Sequence, residues 1–493
     1  ATEDIGAFTP GFKFVPATGS NSQVAFLGRG TGVTDNHPIK EQTVGLYIDG
    51  VYHGTGESAL FELMDIERIE VLKGPQGTLF GRNTTGGAIS IVTPKPSPEL
   101  GGSVKVGLGQ DGYWGVQGGI DLPLSDETLL SRISFLRLVR DPFTKNTAPA
   151  GVKPGILAPG PDDFDDQDAW GVRGAFRLIA SDVLTIDYSV DRIEHDQRTP
   201  AFANTSFNPF IRFITESGAD PSRWLETDNG DIANDGGNWD RMKVWHHTLT
   251  AAWELSEDLT LKSINGYRAY DGNRRSDLDG FPIKSGAVQG TEGLAPYGNI
   301  VETDVFYHEL QLVGSLLDQR LEFAAGGTYL DDESDYTNLG ETAFGGANGN
   351  YIREVLGDNS SWGLYGQATY HITDRLDFTG GLRYTSEDRE AAYTSCDIAL
   401  PSSLLLTIGV RACPDGNRNP VLWGVKRSDS FSALTPMARI SYHLNDDVMT
   451  YLSWTQGYRS GGFPNRPAAN LQATRAFEEE YVTQWEAGIK SSF

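Results

Sequence analysis

Through most of the chain beyond residue 100, apolar and polar residues alternate with a period of two. In SWGLYGQATYHI, Trp362, Leu364, Ala368, Tyr370 and Ile372 fall on one face, and Gly363, Tyr365, Gln367, Thr369 and His371 on the other. In RLDFTGGLRY, Leu376, Phe378, Leu382 and Tyr384 share a face opposite Asp377, Thr379 and Arg383. Successive side chains of a strand point to opposite faces, so this period predicts β-strands. Fourteen runs qualify, near 101–109, 112–122, 127–140, 168–180, 182–196, 240–254, 258–274, 299–315, 319–334, 360–373, 375–392, 428–444, 447–460 and 477–493. Short polar turns join them at Pro123-Leu124-Ser125-Asp126, Ser181-Asp182, Ser256-Glu257, Thr373-Asp374 and Asn445-Asp446. Between these lie long polar links at 141–167, 197–239, 275–298, 335–359, 393–427 and 461–476. Short and long connections in turn are the layout of a membrane barrel. A sheet half buried in a soluble protein would alternate in the same way. Aromatic residues near strand ends, such as Tyr370 and Tyr384, suit a membrane–water interface.

The first 96 residues read differently, as a compact α+β unit, and PKPSPELGG at 94–102 marks the boundary with the strand-rich region. Residues 62–96 organise this unit. Ile66, Ile69, Val71 and Leu72 predict one strand, and Ala88, Ile89, Ile91 and Val92 another. Between them, Gly74-Pro75-Gln76-Gly77 suits a β-turn with proline second, and Gly81 to Gly87 can fold tightly. A phosphate-cradling loop is a poor reading, because G-x-x-x-x-G-K-[ST] is absent and no helical pattern follows the glycines.

These residues resemble the plug signature of TonB-dependent outer-membrane receptors. The match runs through Glu67 to Leu72, Gly74, Pro75, Leu79, Phe80, Gly81, Gly86, Gly87 and Ile89 to Thr93. TPGFKFVPATGSNSQVAFLGRG and TVGLYIDGVYHGTG resemble earlier plug elements of that family. YHELQLVG (307–314), YGQATYHITDRLDFTGGLRYTSEDR, FSALTPMARISYHLNDDVMTYLSWTQGYRSGGF and WEAGIK (485–490) resemble its barrel strands. The resemblance implies a large antiparallel transmembrane β-barrel, residues 97–493, with the plug, residues 1–96, in its lumen. The family's barrel has about twenty-two strands. Fourteen are found, so the expectation is a chain lacking the last eight strands and the energy-coupling segment before Ala1. A true terminus at Phe493 is the alternative.

Charge and rare residues narrow the function. The chain has 493 residues and a formal net charge of −26, which repels nucleic acid. No apolar run reaches the length of a transmembrane helix, and the opening ATEDIGAFTPGF has no signal-peptide pattern. Cys396 and Cys413 share one link, where a disulfide would close a surface loop in an oxidising compartment; two free thiols are the alternative. The histidines are scattered, with no H-E-x-x-H or G-x-S-x-G, so no enzyme chemistry is indicated and no cofactor or metal is implied. His246 and His247 must point to opposite faces of one strand. The acidic run PDDFDDQD (161–168) lacks the glycine and closing glutamate of an EF-hand and reads as a solvated loop.

By resemblance, the plug closes the pore and samples a small-molecule ligand at outward loops. This implicates Thr18 and Asn21, then Asn36 and His37, then Tyr52 and His53. Family members pair two basic plug residues with barrel glutamates; here these match Arg29, Lys73 and Glu486. Lysine at 73 replaces the usual arginine and cannot form the planar bidentate pair. The expectation is that Arg29 and Lys73 lie within about 4 Å of Glu486, the ion-pair range, with a second glutamate partner on the strands that are missing. The implied function is import of a scarce solute, a ferric siderophore or similar chelate, driven by the TonB complex across a Gram-negative outer membrane with its lipopolysaccharide. The rivals are a receptor-like barrel serving as a docking component of a surface assembly, and a soluble β-rich enzyme.

Overall fold

A computed structural model of the chain describes residues 6, 8–16, 20, 23–34, 37–54, 64–125, 128–146, 163–200, 238–277, 296–341, 350–398, 424–465 and 474–492. Two small sheets form the N-terminal unit. The first is antiparallel, in the order β1 (Phe12–Pro16), β2 (Val24–Gly28), β3 (Thr31–Gly32). The second contains β4 (Val44–Ile48), β5 (Val51–Tyr52), β6 (Arg68–Lys73) and β7 (Gly87–Val92), in the order β5-β4-β7-β6. Its centre is the parallel pair β4–β7, with Leu46 opposite Ile89. Every residue of β4 is buried, as expected for a strand covered on both faces. Helical conformation among the described residues of this unit is confined to Gly6 and Phe8.

The glycine-dense stretch between β6 and β7 is longer than a β-turn. Pairing continues past the strands, Gly74 N–H donating to Gly86 O at 3.1 Å and Gln76 N–H to Thr84 O at 3.0 Å. The chain reverses at 77–80, where Phe80 N–H donates to Gln76 O at 3.1 Å, and not at the expected 74–77. Gly87 has φ of +148°, and a Cβ there would lie 2.3 Å from Leu72 O, so the site excludes any side chain.

The remaining strands form one antiparallel sheet in chain order. They are β8 (Gly101–Leu108), β9 (Trp114–Ser125), β10 (Leu129–Arg140), β11 (Gln167–Ser181), β12 (Leu184–Gln197), β13 (Trp239–Ser256) and β14 (Leu259–Asp277). Next come β15 (Pro296–Leu316), β16 (Leu321–Glu341), β17 (Asn350–Thr373), β18 (Leu376–Ile398), β19 (Val425–Asn445), β20 (Val448–Arg459) and β21 (Glu480–Ser491). All fourteen expected strands are present, and β8 and β21 are the edges among the described residues. β16 runs seven residues past its expected end at 334, and β17 begins ten before its expected start at 360. In these extensions apolar residues such as Tyr336, Ile352, Val355 and Leu356 no longer alternate strictly with polar ones, and backbone pairing continues where the regular alternation stops.

One face of the sheet is apolar and turned outward. Trp362 is 45% and Leu364 60% exposed, whereas Tyr365 and Arg383, of opposite parity, are each 6% exposed. Trp245, Tyr267, Phe306, Tyr329, Trp362 and Tyr384 make an outward aromatic row near the long-link end, and Tyr370, Phe378 and Tyr442 another near the short turns. Trp362 and Tyr370, eight residues apart, are separated by about 26 Å along the strand at about 3.3 Å per residue. The inner face receives the N-terminal unit. Phe12, Val24, Phe26, Val44, Leu46, Ile48, Ile89 and Ile91 share one buried cluster with Ile193, Met242, Val244, Tyr270, Val301 and Tyr336 of the wall.

Candidate functional site: the seat of the plug

Arg29, in the turn after β2 at φ 51°, donates to Glu486 Oε2 of β21 at 2.6 Å. Glu486 also accepts from Tyr451 Oη at 2.6 Å and Gln484 Nε2 at 2.9 Å. These two neutral donors fill the remaining places around the carboxylate. Lys73 is not there. It ends β6 with its side chain exposed, and it forms no ion pair among the described residues. The Gln484 amide packs against the neighbouring Gly74, where a Cβ would lie 2.4 Å from Oε1.

The buried charges sit elsewhere. Asp49, in the β4–β5 turn, accepts from Thr93 N–H at 3.0 Å, Thr93 Oγ1 at 2.7 Å and Arg173 Nη2 of β11 at 2.8 Å. Burial pushes the Asp49 carboxyl up, but Arg173, Lys95 and the Thr93 bonds outweigh it and hold the group below the usual carboxylate range. Arg173 also reaches Asp191 at 2.9 Å. Asp65 takes a bidentate pair from Arg132 of β10, Nε at 2.7 Å and Nη2 at 2.9 Å.

A third cluster joins the 81–84 loop to β18 and β20. Arg82 bonds Glu387, whose side chain is wholly buried, and lies 3.5 Å from Glu41. Arg389 bonds Glu41, Glu387 at 3.3 Å and Ser460 Oγ at 3.0 Å. Asn83 N–H donates to Tyr458 O at 2.9 Å. Two arginines alternate with two glutamates, so each buried charge is compensated. Sequence reading missed this cluster. Arg383, Thr385, Glu387 and Arg389 share the inner parity of one strand, which flags a polar lumen face but does not say what meets it.

The expected ligand-sampling residues divide. Thr18, Asn21 and Asn36 lie outside the described residues, as do Cys413 and the Cys396 side chain. His37 is 1% exposed, with its ring centroid 3.9 Å from that of Tyr336. Tyr52 is 5% exposed; its hydroxyl donates to Gly54 O and accepts from Asn83 Nδ2, each at 3.3 Å. His53 is 3% exposed and stands edge-on to His246 with ring centroids 4.7 Å apart. Its backbone N–H donates to Leu46 O at 2.9 Å. Tyr52 and His53 are therefore at the root of their loop, sealed against the wall and not presented at an apex. β5 is only two residues long and pairs with the fully buried β4, which draws both side chains inward. Burial first, then His246 and Arg268, hold the His53 imidazole well below its ordinary pKa. His246 faces the plug and His247 faces out, with its Nδ1 2.9 Å from Tyr188 Oη.

Among the described residues, no group of three His, Cys, Asp or Glu is placed to hold a metal. The described part of the acidic run is bound by neighbours: Asp163 to Lys145 at 2.7 Å, Asp166 to Arg198 at 3.4 Å and Asp168 to Arg137 at 2.5 Å. What the arrangement does is hold one folded unit against the inner wall of another.

Comparison with known proteins agrees with this architecture. A family model described as "TonB-dependent Receptor Plug Domain" matches residues 2–88, and "TonB dependent receptor-like, beta-barrel" matches residues 138–493. The pesticin receptor of Yersinia enterocolitica is 23% identical over 470 residues, 93% of this chain and 58% of that protein. The chain thus spans less than two thirds of the length of this relative. The ferrioxamine B receptor of Salmonella typhimurium is 28% identical over 142 residues, 27% of this chain and 19% of that protein. The solved structure of the ferric yersiniabactin uptake receptor of Yersinia pestis superposes with a TM-score of 0.79 at 19% identity, covering 100% of this chain and 67% of that one. The ferric-catecholate import receptor of E. coli gives 0.69 at 15% identity, covering 99% and 68%. Plug, barrel and their mode of docking together place the chain in the family of TonB-dependent receptors, whose barrels stand in the Gram-negative outer membrane.

Proposed function

We propose that the protein imports a scarce, anionic ferric chelate of siderophore type into the periplasm, with the TonB complex supplying the energy. The relatives support this reading, being named for pesticin, ferrioxamine B and ferric yersiniabactin. The observation that carries it is the placement of arginine at the mouth. The chain is strongly acidic overall, yet Arg353 of β17 and Arg427 of β19 share the inner parity of the wall near its long-link end. Arginine there draws a multiply charged anion toward the plug, which closes the lumen beneath. The outer wall carries Arg241 and Lys243 beyond the aromatic row, a level suited to the phosphates of lipopolysaccharide.

The test is uptake of ⁵⁵Fe-labelled ferric yersiniabactin in cells whose only receptor for it is the full-length protein. Expected is uptake abolished by a protonophore and reduced at least about tenfold when Arg353 and Arg427 are both replaced by Glu, the effect of reversing charge at an electrostatic funnel. Uptake equal to that of receptor-less cells would remove this chelate. Uptake indifferent to the protonophore would remove energy coupling.

A further inference from the structure

Glu41 is the plug's own carboxylate in the cluster around Arg389. It lies between β3 and β4, outside any strand, just after a turn in which Lys40 N–H donates to His37 O at 2.9 Å. Three donors converge on its side chain. Oε1 accepts from Arg389 Nη2 of β18 and stands 3.5 Å from Arg82 Nη1, and Oε2 accepts from Asn83 Nδ2. Asn83 is fixed in the left-handed region at φ 60°, with its backbone N–H on Tyr458 O at 2.9 Å and Ser460 N–H on its Oδ1 at 3.3 Å. Its amide nitrogen is thereby aimed at Glu41. Two guanidinium groups and a fixed amide around one carboxylate make an oxyanion seat. The backbone of Glu41 is held separately, its O accepting from Arg459 Nε at 3.3 Å.

The second carboxylate of the cluster is placed differently. Glu387 is wholly buried, and both arginines bond its Oε2. Without Glu41, two guanidinium groups would therefore share one oxygen of Glu387, and one buried positive charge would be uncompensated. The Glu41 side chain is 11% exposed, so of the two glutamates it is the one that water reaches. The seat also adjoins the mouth. Arg427 stands opposite Ala391, the next inner position after Arg389 on β18, about 7 Å along the strand. An anion drawn in by Arg427 thus arrives one step from the seat. Exchanging one carboxylate for another there leaves the buried charge unchanged, whereas an anion lodged beside Glu41 would add an unmatched one. The exchange also breaks the Glu41–Arg389 tie between plug and wall.

We infer that Arg389, Arg82 and Asn83 form a carboxylate-binding seat which Glu41 occupies as a stand-in, and that an anionic group of the incoming chelate takes the seat in its place and releases that tie. The exchange rests on the import reading; the seat stands without it.

Full-length protein in detergent tests both. Glu41→Gly empties the seat without refilling it. Sodium formate at about 0.2 M should restore at least about half of the urea midpoint lost on that substitution, and sodium chloride at the same ionic strength should not. Wild type and Glu41→Gln, whose seats are filled, should show no difference between the two salts. Adding Arg389→Gln to Glu41→Gly should abolish the formate response. A midpoint that the substitution leaves unchanged, or that chloride restores as well as formate, would overturn the seat. If Glu41→Gly does not fold in plain buffer, refolding yield against formate concentration reads the same site, and a yield indifferent to formate would overturn it. For the exchange, Glu41→Gly should bind ferric yersiniabactin at least about tenfold more tightly than wild type, because the resident competitor is gone, and formate should weaken that binding. Equal affinity in the two proteins would refute the exchange. If neither binds the chelate, the import reading and the exchange both fall for it, and the formate response alone decides the seat.

Discussion

Glu387 and Glu486 are both wall glutamates that hold a plug arginine, and their surroundings make them unequal. The Glu387 side chain is fully buried between Arg82 and Arg389, whereas the Arg29–Glu486 pair is 38% and 30% exposed. Replacing Glu387 by Gln leaves two buried guanidinium groups sharing Glu41 and should cost about 3 kcal/mol. Glu486→Gln should cost less than about 1 kcal/mol, since solvent screens that pair and Tyr451 and Gln484 can still bond the amide. Urea midpoints of the detergent-solubilised protein would show the ranking. His53 makes a second residue-scale case. Its folded pKa lies below the unfolded value of about 6.5, so the unfolded state binds the extra proton and stability rises with pH. The urea midpoint should fall from pH 7 to pH 5, and His53→Gln should flatten that slope. The resemblance pointed to Arg29 and Glu486, because both lie inside recognisable motifs. It also pointed to Lys73, whose side chain is exposed and makes no ion pair among the described residues, and no motif reports that.

Elements were more legible than contacts. All fourteen wall strands announce themselves by alternation, because lipid on one side and a polar lumen on the other force a period of two. The same physics hides the far ends of β16 and β17. Beyond the aromatic row lipid no longer enforces the period, and backbone pairing carries the strands on, with Tyr336, Ile352 and Val355 buried at irregular spacing. The difference predicts opposite outcomes for one kind of substitution. Leu364→Arg, inside the band on β17, should destabilise folding into lipid vesicles by about 1–3 kcal/mol, less than at the midplane. Glu333→Arg on β16, beyond the row, should be neutral or stabilising by a few tenths of a kcal/mol, because Glu333 stands directly opposite Asp304 and Asp358 and arginine removes two like-charge pairs. Urea titration of vesicle-folded variants measures both. Comparable losses at the two positions would mean that the aromatic row does not mark the lipid boundary.

At the scale of the whole molecule, plug and wall are not two folded units in casual contact. One buried hydrophobic cluster takes residues from β1, β2, β4 and β7 on one side and from β12 to β16 on the other. The charged groups of the inner wall are matched to plug groups at Arg132, Arg173, Glu387 and Arg389, so their burial depends on the plug being present. Remove the plug and that inner face becomes a charged, wettable surface that no longer excludes water. Deleting residues 1–96 from the full-length protein should therefore leave a lumen that conducts, with single-channel conductance in planar bilayers at least about tenfold above that of the intact protein. Glu387→Gln in the intact protein should raise the frequency of brief openings without matching that conductance, because it loosens one anchor while Arg132–Asp65 and Arg173–Asp49 still hold. A silent deletion variant that is folded and inserted would show that the wall closes the passage unaided, and the plug would then have to be assigned a role other than stopper.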